Sequence, residues 1–208
     1  MKKELDIETW ARRDHFHFFK QFEEPFFGVT APVDCTLAYT LSKETGISFF
    51  LYYLYCSVRA ANELTPFRYR ISAEGGVYEY EQIHPSATIN REDGTFGFSY
   101  IPYSPSLPIF MANAQKEVER VRNTRGLELT TADANVIHYS SLPWIAFTSL
   151  SHARMFSLND SIPKITFGKL TTQGNKKEMP VSVHVHHALL DGYDVGLYFE
   201  AFQELLNQ

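Results

Sequence analysis

The sequence predicts an α/β fold, a single-domain two-layer sandwich in which helices pack on a mixed, mainly antiparallel β-sheet. Three observations lead there. Helical and strand-like periodicities are interleaved along the chain. The later strand-like stretches follow one another with no helix between them, which argues against a strict βαβ series. The chain then closes on an amphipathic helix. A chain of 208 residues can bury roughly 70% of its unfolded surface, enough for a core without disulfide or metal staples. No repeat, low-complexity tract or linker divides it, so one domain over residues 1–208 is expected.

Each element follows from its pattern. Residues 47–63 are apolar almost all round at first, which suits a buried helix. The run Ile47 to Cys56 falls short of the about 20 residues of a membrane span, so no membrane association is expected. Residues 68–72 and 77–80 flank Gly75-Gly76 with aromatic alternation and predict a hairpin. Residues 95–103 predict a strand stopping at Ser104-Pro105. Residues 107–123 place Met111, Ala114, Val118 and Val121 at helical spacing, with charges on the other side. Three strands are then expected at 136–149, 165–170 and 179–187. The last helix carries Val195, Tyr198, Phe199, Phe202, Leu205 and Leu206 as one apolar stripe.

Composition removes several function classes. Lys plus Arg is 19 and Asp plus Glu is 24, a net charge of −5, the wrong sign for a nucleic-acid binder. No Gly-rich phosphate loop of either standard pattern occurs. Two cysteines, Cys35 and Cys56, make neither a disulfide scaffold nor a metal-ligand spacing. The charged amino terminus has no apolar stretch behind it, so a secretory signal is not expected. A cytoplasmic location, where both thiols stay free, is the expectation.

The chemistry concentrates in residues 181–192, Val-Ser-Val-His-Val-His-His-Ala-Leu-Leu-Asp-Gly. Strand alternation puts Val181, Val183, Val185 and His187 on one face and Ser182, His184 and His186 on the other. His187 is thus the odd residue on an apolar face, at a strand end, where a partly dry imidazole can serve as a general base. A satisfied core histidine is the ordinary alternative. A metal site from His184, His186 and His187 is a third reading, weakened because His187 points away and no acidic or cysteine ligand completes the set.

His186-His187-Ala-Leu-Leu-Asp191-Gly192 has the HHxxxDG form and resembles the signature of the chloramphenicol acetyltransferase family. Taken alone, the motif also occurs in dihydrolipoyl acyltransferase cores and condensation domains. Three further segments narrow it. Trp10-Ala-Arg12-Arg13-Asp14-His15-Phe16, Ser140-Ser141-Leu142-Pro143-Trp144 and Ile165-Thr166-Phe167-Gly168-Lys169 are similar to the family's other elements in order and spacing. The resemblance covers essentially the whole chain.

That resemblance implies acetyl-CoA as co-substrate, no metal, and direct transfer in a ternary complex. It implies His187 as general base, Ser140 as oxyanion donor, and Thr166 as holder of a water near the intermediate. Asp191 and Arg12 would form a structural ion pair, two parallel hydrogen bonds being open to an arginine. Trp144, Phe49 and Phe50 would form the coenzyme passage, and Phe19, Phe27 and Phe96 the acceptor pocket. The family is homotrimeric, with active sites between subunits. Chloramphenicol is the leading acceptor, although Phe19 stands where a tyrosine is frequent, and Glu23 and Glu24 acidify a loop that is otherwise apolar. A different hydroxylated acceptor and a non-catalytic binding protein on the same fold are the alternatives. A dihydrolipoyl acyltransferase core is disfavoured, because no lipoyl domain or Ala/Pro-rich linker precedes residue 10.

Overall fold

The computed structural model describes residues 1–127, 133–154 and 160–208. Its strands are β1 (Lys2–Glu4), β2 (Phe26–Asp34), β3 (Tyr69–Ile71), β4 (Val77–Tyr80), β5 (His84–Asn90), β6 (Phe96–Phe98), β7 (Val136–Ser141), β8 (Lys164–Phe167), β9 (Thr171–Gln173) and β10 (Lys176–His186). Its α-helices are α1 (Arg13–Phe19), α2 (Thr36–Thr45), α3 (Phe49–Glu63), α4 (Leu107–Arg122) and α5 (Gly192–Leu206). The main sheet runs in the order β2-β10-β8-β7-β5-β6, with β9 beside β10, and a small sheet has the order β1-β4-β3. Among the described residues, β5–β7 and β7–β8 are the parallel pairs. The other ladders are antiparallel, so the sheet is mixed and mainly antiparallel.

Burial of one sheet face drives the fold. Tyr139, Ile165, Phe167, Val181, Val183 and Val185 are buried with α3 and α5, where apolar area removed from water is worth about 25 cal/mol per Å². Two polar clusters enter this core with their partners. The Ser57 hydroxyl lies 3.1 Å from that of Tyr139 and 2.6 Å from that of Tyr198, joining the sheet to both helices. Arg70, fully buried, donates to the carbonyls of Phe67, Tyr69, Ala134 and Val136, locking β3 to the start of β7. Asp34 accepts from the Thr36 amide and starts α2, and Gly46 ends it at φ 73°, a left-handed conformation that favours glycine.

Three predicted strands are shorter than expected. The stretch 95–103 pairs as β6 over three residues only. Beyond it, the amides of Ser99 and Ile101 still bond back to Ala87 and Pro85. The stretch 136–149 ends at Ser141, because Leu142 makes the last bond to Phe167 and Pro143 opens a turn closed by Ile145. The stretch 165–170 ends at Phe167, where the Gly168 amide turns to Pro180 and that of Lys169 to Ile145. Among the described residues no helix is long and apolar enough to cross a membrane.

Candidate active site

The HHxxxDG segment leaves β10 at His186 and enters a turn, so His187 lies just past the strand rather than on it. His186 shapes that turn. Its Nδ1 accepts from the Ala188 amide at 3.2 Å, and its carbonyl accepts from the amides of Leu189 and Leu190. Burial, with the nearby Arg154 charge, pushes the His186 imidazole down to about 4 and keeps it neutral for this role.

His187 is held on three sides. Its amide donates to the Pro25 carbonyl at 2.8 Å. Its carbonyl accepts from Arg12 Nη2 at 3.2 Å. Its ring stacks on Phe19, with centroids 3.8 Å apart and 10° between planes, and Phe27 tilts against it at 4.7 Å. The residue is half-buried, and Nδ1 is buried without a hydrogen-bond partner among the described residues.

Arg12 Nη1 meets Asp191 Oδ2 at 2.6 Å while Nη2 takes the His187 carbonyl. The two parallel bonds to one carboxylate are therefore absent. Asp191 Oδ1 is engaged elsewhere, accepting from the Tyr193 and Asp194 amides as the N-cap of α5. Burial alone would raise the Asp191 carboxyl, but Arg12 and the helix amides outweigh it and hold the group below its ordinary range. Arg13 turns away to Asp14 and Glu8.

Ser140 and Thr166 are register partners on β7 and β8, and Thr166 is in turn opposite Ser182 on β10. This places them together, but far from His187. His187 follows the last residue of β10, five residues beyond Ser182, about 16 Å at about 3.3 Å per residue of extended chain. One chain does not bring the base to the Ser140–Thr166 pair. Phe96 is likewise separated from Phe19 and Phe27. It is 41% exposed on β6, at the edge opposite β2, and five strand spacings amount to about 24 Å.

A cavity of about 910 Å³ opens at the carboxyl ends of β5 and β7, between the start of α3 and the end of α4. Phe50, Tyr53, Asn90, Ser141 and Pro143 are among its lining residues. Phe50 thus faces the cavity. Phe49 packs edge-on against Tyr39 and Tyr53, and Trp144 stands 65% exposed at the rim beside Pro143. Among the described residues no group of histidines, cysteines and carboxylates could hold a metal ion. Glu23 is exposed, so its charge carries no burial cost, and Glu24 is ion-paired with Arg154.

Pattern reading passed over His138, His152 and the capping geometry of His186. His138 belongs to β7, two residues before Ser140, and His152 reaches Thr166 Oγ1 with Nε2 at 3.5 Å. Strand register sets His138 beside Lys164, and the irregular segment after β7 carries His152 to Thr166; neither leaves a sequence pattern.

Comparison with known proteins finds relatives along the whole chain. The family model described as chloramphenicol acetyltransferase matches residues 2–203. Chloramphenicol acetyltransferase 2 of Escherichia coli is 30% identical over 201 residues, 96% of this chain and 94% of that protein. A solved chloramphenicol acetyltransferase superposes with a TM-score of 0.93 at 31% identity, covering 99% of this chain and all of the other. The truncated catalytic core of a 2-oxoacid dehydrogenase multienzyme complex from Thermoplasma acidophilum shares the fold, with a TM-score of 0.70 at 15% identity over 94% and 92% of the two chains.

Proposed function

The chain belongs to the chloramphenicol acetyltransferase family and is an acyltransferase, and from that premise we propose that it moves the acetyl group of acetyl-CoA to a hydroxyl of a small molecule, chloramphenicol first. The observation that carries this reading is His187 itself, a half-buried imidazole stacked on Phe19 with its backbone fixed by Arg12 and Pro25. Such fixing is what a general base requires, since misplacement is costly in rate.

In the reaction, His187 takes the proton from the acceptor hydroxyl as that oxygen attacks the thioester carbonyl. Nδ1 is buried, which leaves Nε2 as the nitrogen for this work. Ser140 donates to the oxyanion of the tetrahedral intermediate, a contribution worth about 10²–10³ in rate, and Thr166 holds a water beside it. Collapse breaks the C–S bond, and the proton on His187 passes to the departing thiolate. The cavity at the ends of β5 and β7 suits the extended thiol arm of the co-substrate. Phe50 and Ser141 line it, and Trp144 follows three residues after Ser141 on the same segment.

The about 16 Å between His187 and Thr166 within one chain supports a site completed by a second copy. One subunit contributes His187 with Phe19 and Phe27, and its neighbour contributes Ser140, Thr166 and Phe96. Closed cyclic symmetry then gives a homotrimer with three equivalent sites. A cytoplasmic location and a role in antibiotic resistance fit this chemistry.

The test is CoA thiol release from acetyl-CoA with and without chloramphenicol, in the wild type and His187→Ala. Release that needs the acceptor and falls about 10²–10⁴-fold in the variant is expected. A variant retaining more than a few per cent of the rate, a loss smaller than about 30-fold, would overturn the mechanism.

A further inference from the structure

The sheet face that carries Ser140 and Thr166 is polar far beyond those two residues. Alternation turns Tyr139, Ile165 and Val183 toward the helices, so Ser140, Thr166 and Ser182 point the opposite way. The ladder sets these three in one row with Thr30 of β2. The next row, two residues along, is Ser86, His138, Lys164 and His184, ending at Gly28. His152 lies over both rows, its Nε2 3.5 Å from Thr166 Oγ1 and its ring edge-on to His184 at 4.8 Å. The edge strand makes room for this arrangement. A Cβ at Gly28 would stand 2.3 Å from His184 Nε2.

Charge on this face is matched. Lys164 Nζ lies 2.5 Å from Asp160 Oδ2, and Arg154 is paired with Glu24 above the Phe26 ring. Burial pushes His138 and His152 down to about 4 and lowers His184 as well, so the three imidazoles are neutral at neutral pH. A neutral imidazole and a hydroxyl each both donate and accept a hydrogen bond. An anion would find both cations of the face already paired. Thr30 Oγ1 donates to Ser182 Oγ at 3.1 Å and Ser182 Oγ lies 3.4 Å from His184 Nδ1, so the row is held in place by bonds among its own members. Sugar and polyol hydroxyls match them group for group.

We propose that this face is an acceptor subsite for a neutral polyhydroxylated molecule, a sugar or polyol, presenting one hydroxyl to the Ser140–Thr166 pair. The proposal rests on the acetyl-transfer reading of the same site. The sugar oxygen bonds to the acetyl carbon, the C–S bond breaks, and the hydroxyl proton travels through His187 to the thiolate of CoA.

The experiment is thiol release from acetyl-CoA with methyl glucoside, sorbitol, glucose 6-phosphate and chloramphenicol as separate acceptors. Saturable release with a neutral sugar or polyol is expected, above that with the phosphate ester. In His152→Phe and Gly28→Val, the ratio of kcat/KM for that acceptor to kcat/KM for chloramphenicol should fall at least about tenfold, the discrimination a polar site loses with a hydrogen-bonding group. A second readout needs no variant: titrating the wild type with methyl glucoside should shift the imidazole NMR signals of His152 and His184. Turnover of chloramphenicol with neither neutral probe used, preference for the phosphate ester, or imidazole signals that stay fixed would each overturn the proposal. Equal loss for both acceptors in the variants would do the same. Silence with all four acceptors would overturn the acetyl-transfer reading, and this proposal with it.

Discussion

Asp191 sends its two carboxylate oxygens in different directions, Oδ2 to Arg12 and Oδ1 to the first amides of α5. Arg12 divides itself in the same way, between that carboxylate and the carbonyl of His187. The pair therefore couples the start of the last helix to the backbone of the base, and it is a positioning device. A lysine at 12 keeps the charge but lacks the fork that reaches two acceptors at once. Arg12→Lys should lower kcat about 10–100-fold with KM little changed; steady-state kinetics indistinguishable from wild type would contradict this. His187, Asp191 and Arg12 were all legible in the sequence, since the HHxxxDG form and the Trp-x-Arg spacing name them. The fork between carboxylate and carbonyl was not. A main-chain acceptor leaves no residue-type signal, and Asp191 reads equally well as a helix cap or an ion-pair partner.

At the scale of elements, legibility followed periodicity. The helices α3, α4 and α5 and the strand β10 have long apolar repeats, and each lies close to where its pattern predicts. The strand β2 carries Gly28, Pro32 and a polar end at the sheet's edge, and β5 carries Pro85, so neither shows clean alternation. The helix α1 has only seven residues, the last five of them phenylalanine or histidine, and α2 is rich in threonine. Together with the three-residue strands β1 and β9, these four elements were left unassigned by pattern reading. Gly168 decides where β8 stops. A Cβ there would lie 2.5 Å from Pro180 Cγ and 3.0 Å from the Ile145 carbonyl oxygen. Gly168→Ala should accordingly cost about 1–3 kcal/mol by overpacking, read as a lower urea midpoint with an unchanged m-value. A midpoint equal to wild type would show that the turn gives way freely.

For the whole molecule, the polar sheet face and the divided site have separate consequences. Burial pushes His138, His152 and His186 from an ordinary 6.5 down to about 4. Above about pH 6.5 these groups are neutral in both states and their contribution is complete. As pH falls from there toward about 4, the unfolded chain takes up protons that the fold refuses, so stability declines. The half-buried carboxyls Asp160 and Asp191 are held below their usual range and act only at lower pH. Urea unfolding at about pH 7.5 and about pH 5 should show the midpoint dropping over that interval; a flat midpoint would contradict the buried, neutral placement of the three rings. The division of the site is the central claim, because His187 lies past the end of β10 whereas the Ser140–Thr166 pair is level with Ser182 in the middle of that strand. The most direct test is complementation between His187→Ala and Ser140→Ala chains, each nearly inactive alone, dissociated and reassembled as a mixture. If each site takes His187 from one copy and Ser140 from the next, random pairing restores roughly a quarter of the wild-type sites, and acetyl-CoA turnover rises toward that fraction. A mixture no more active than the sum of its two parents would mean that the site is built within a single chain.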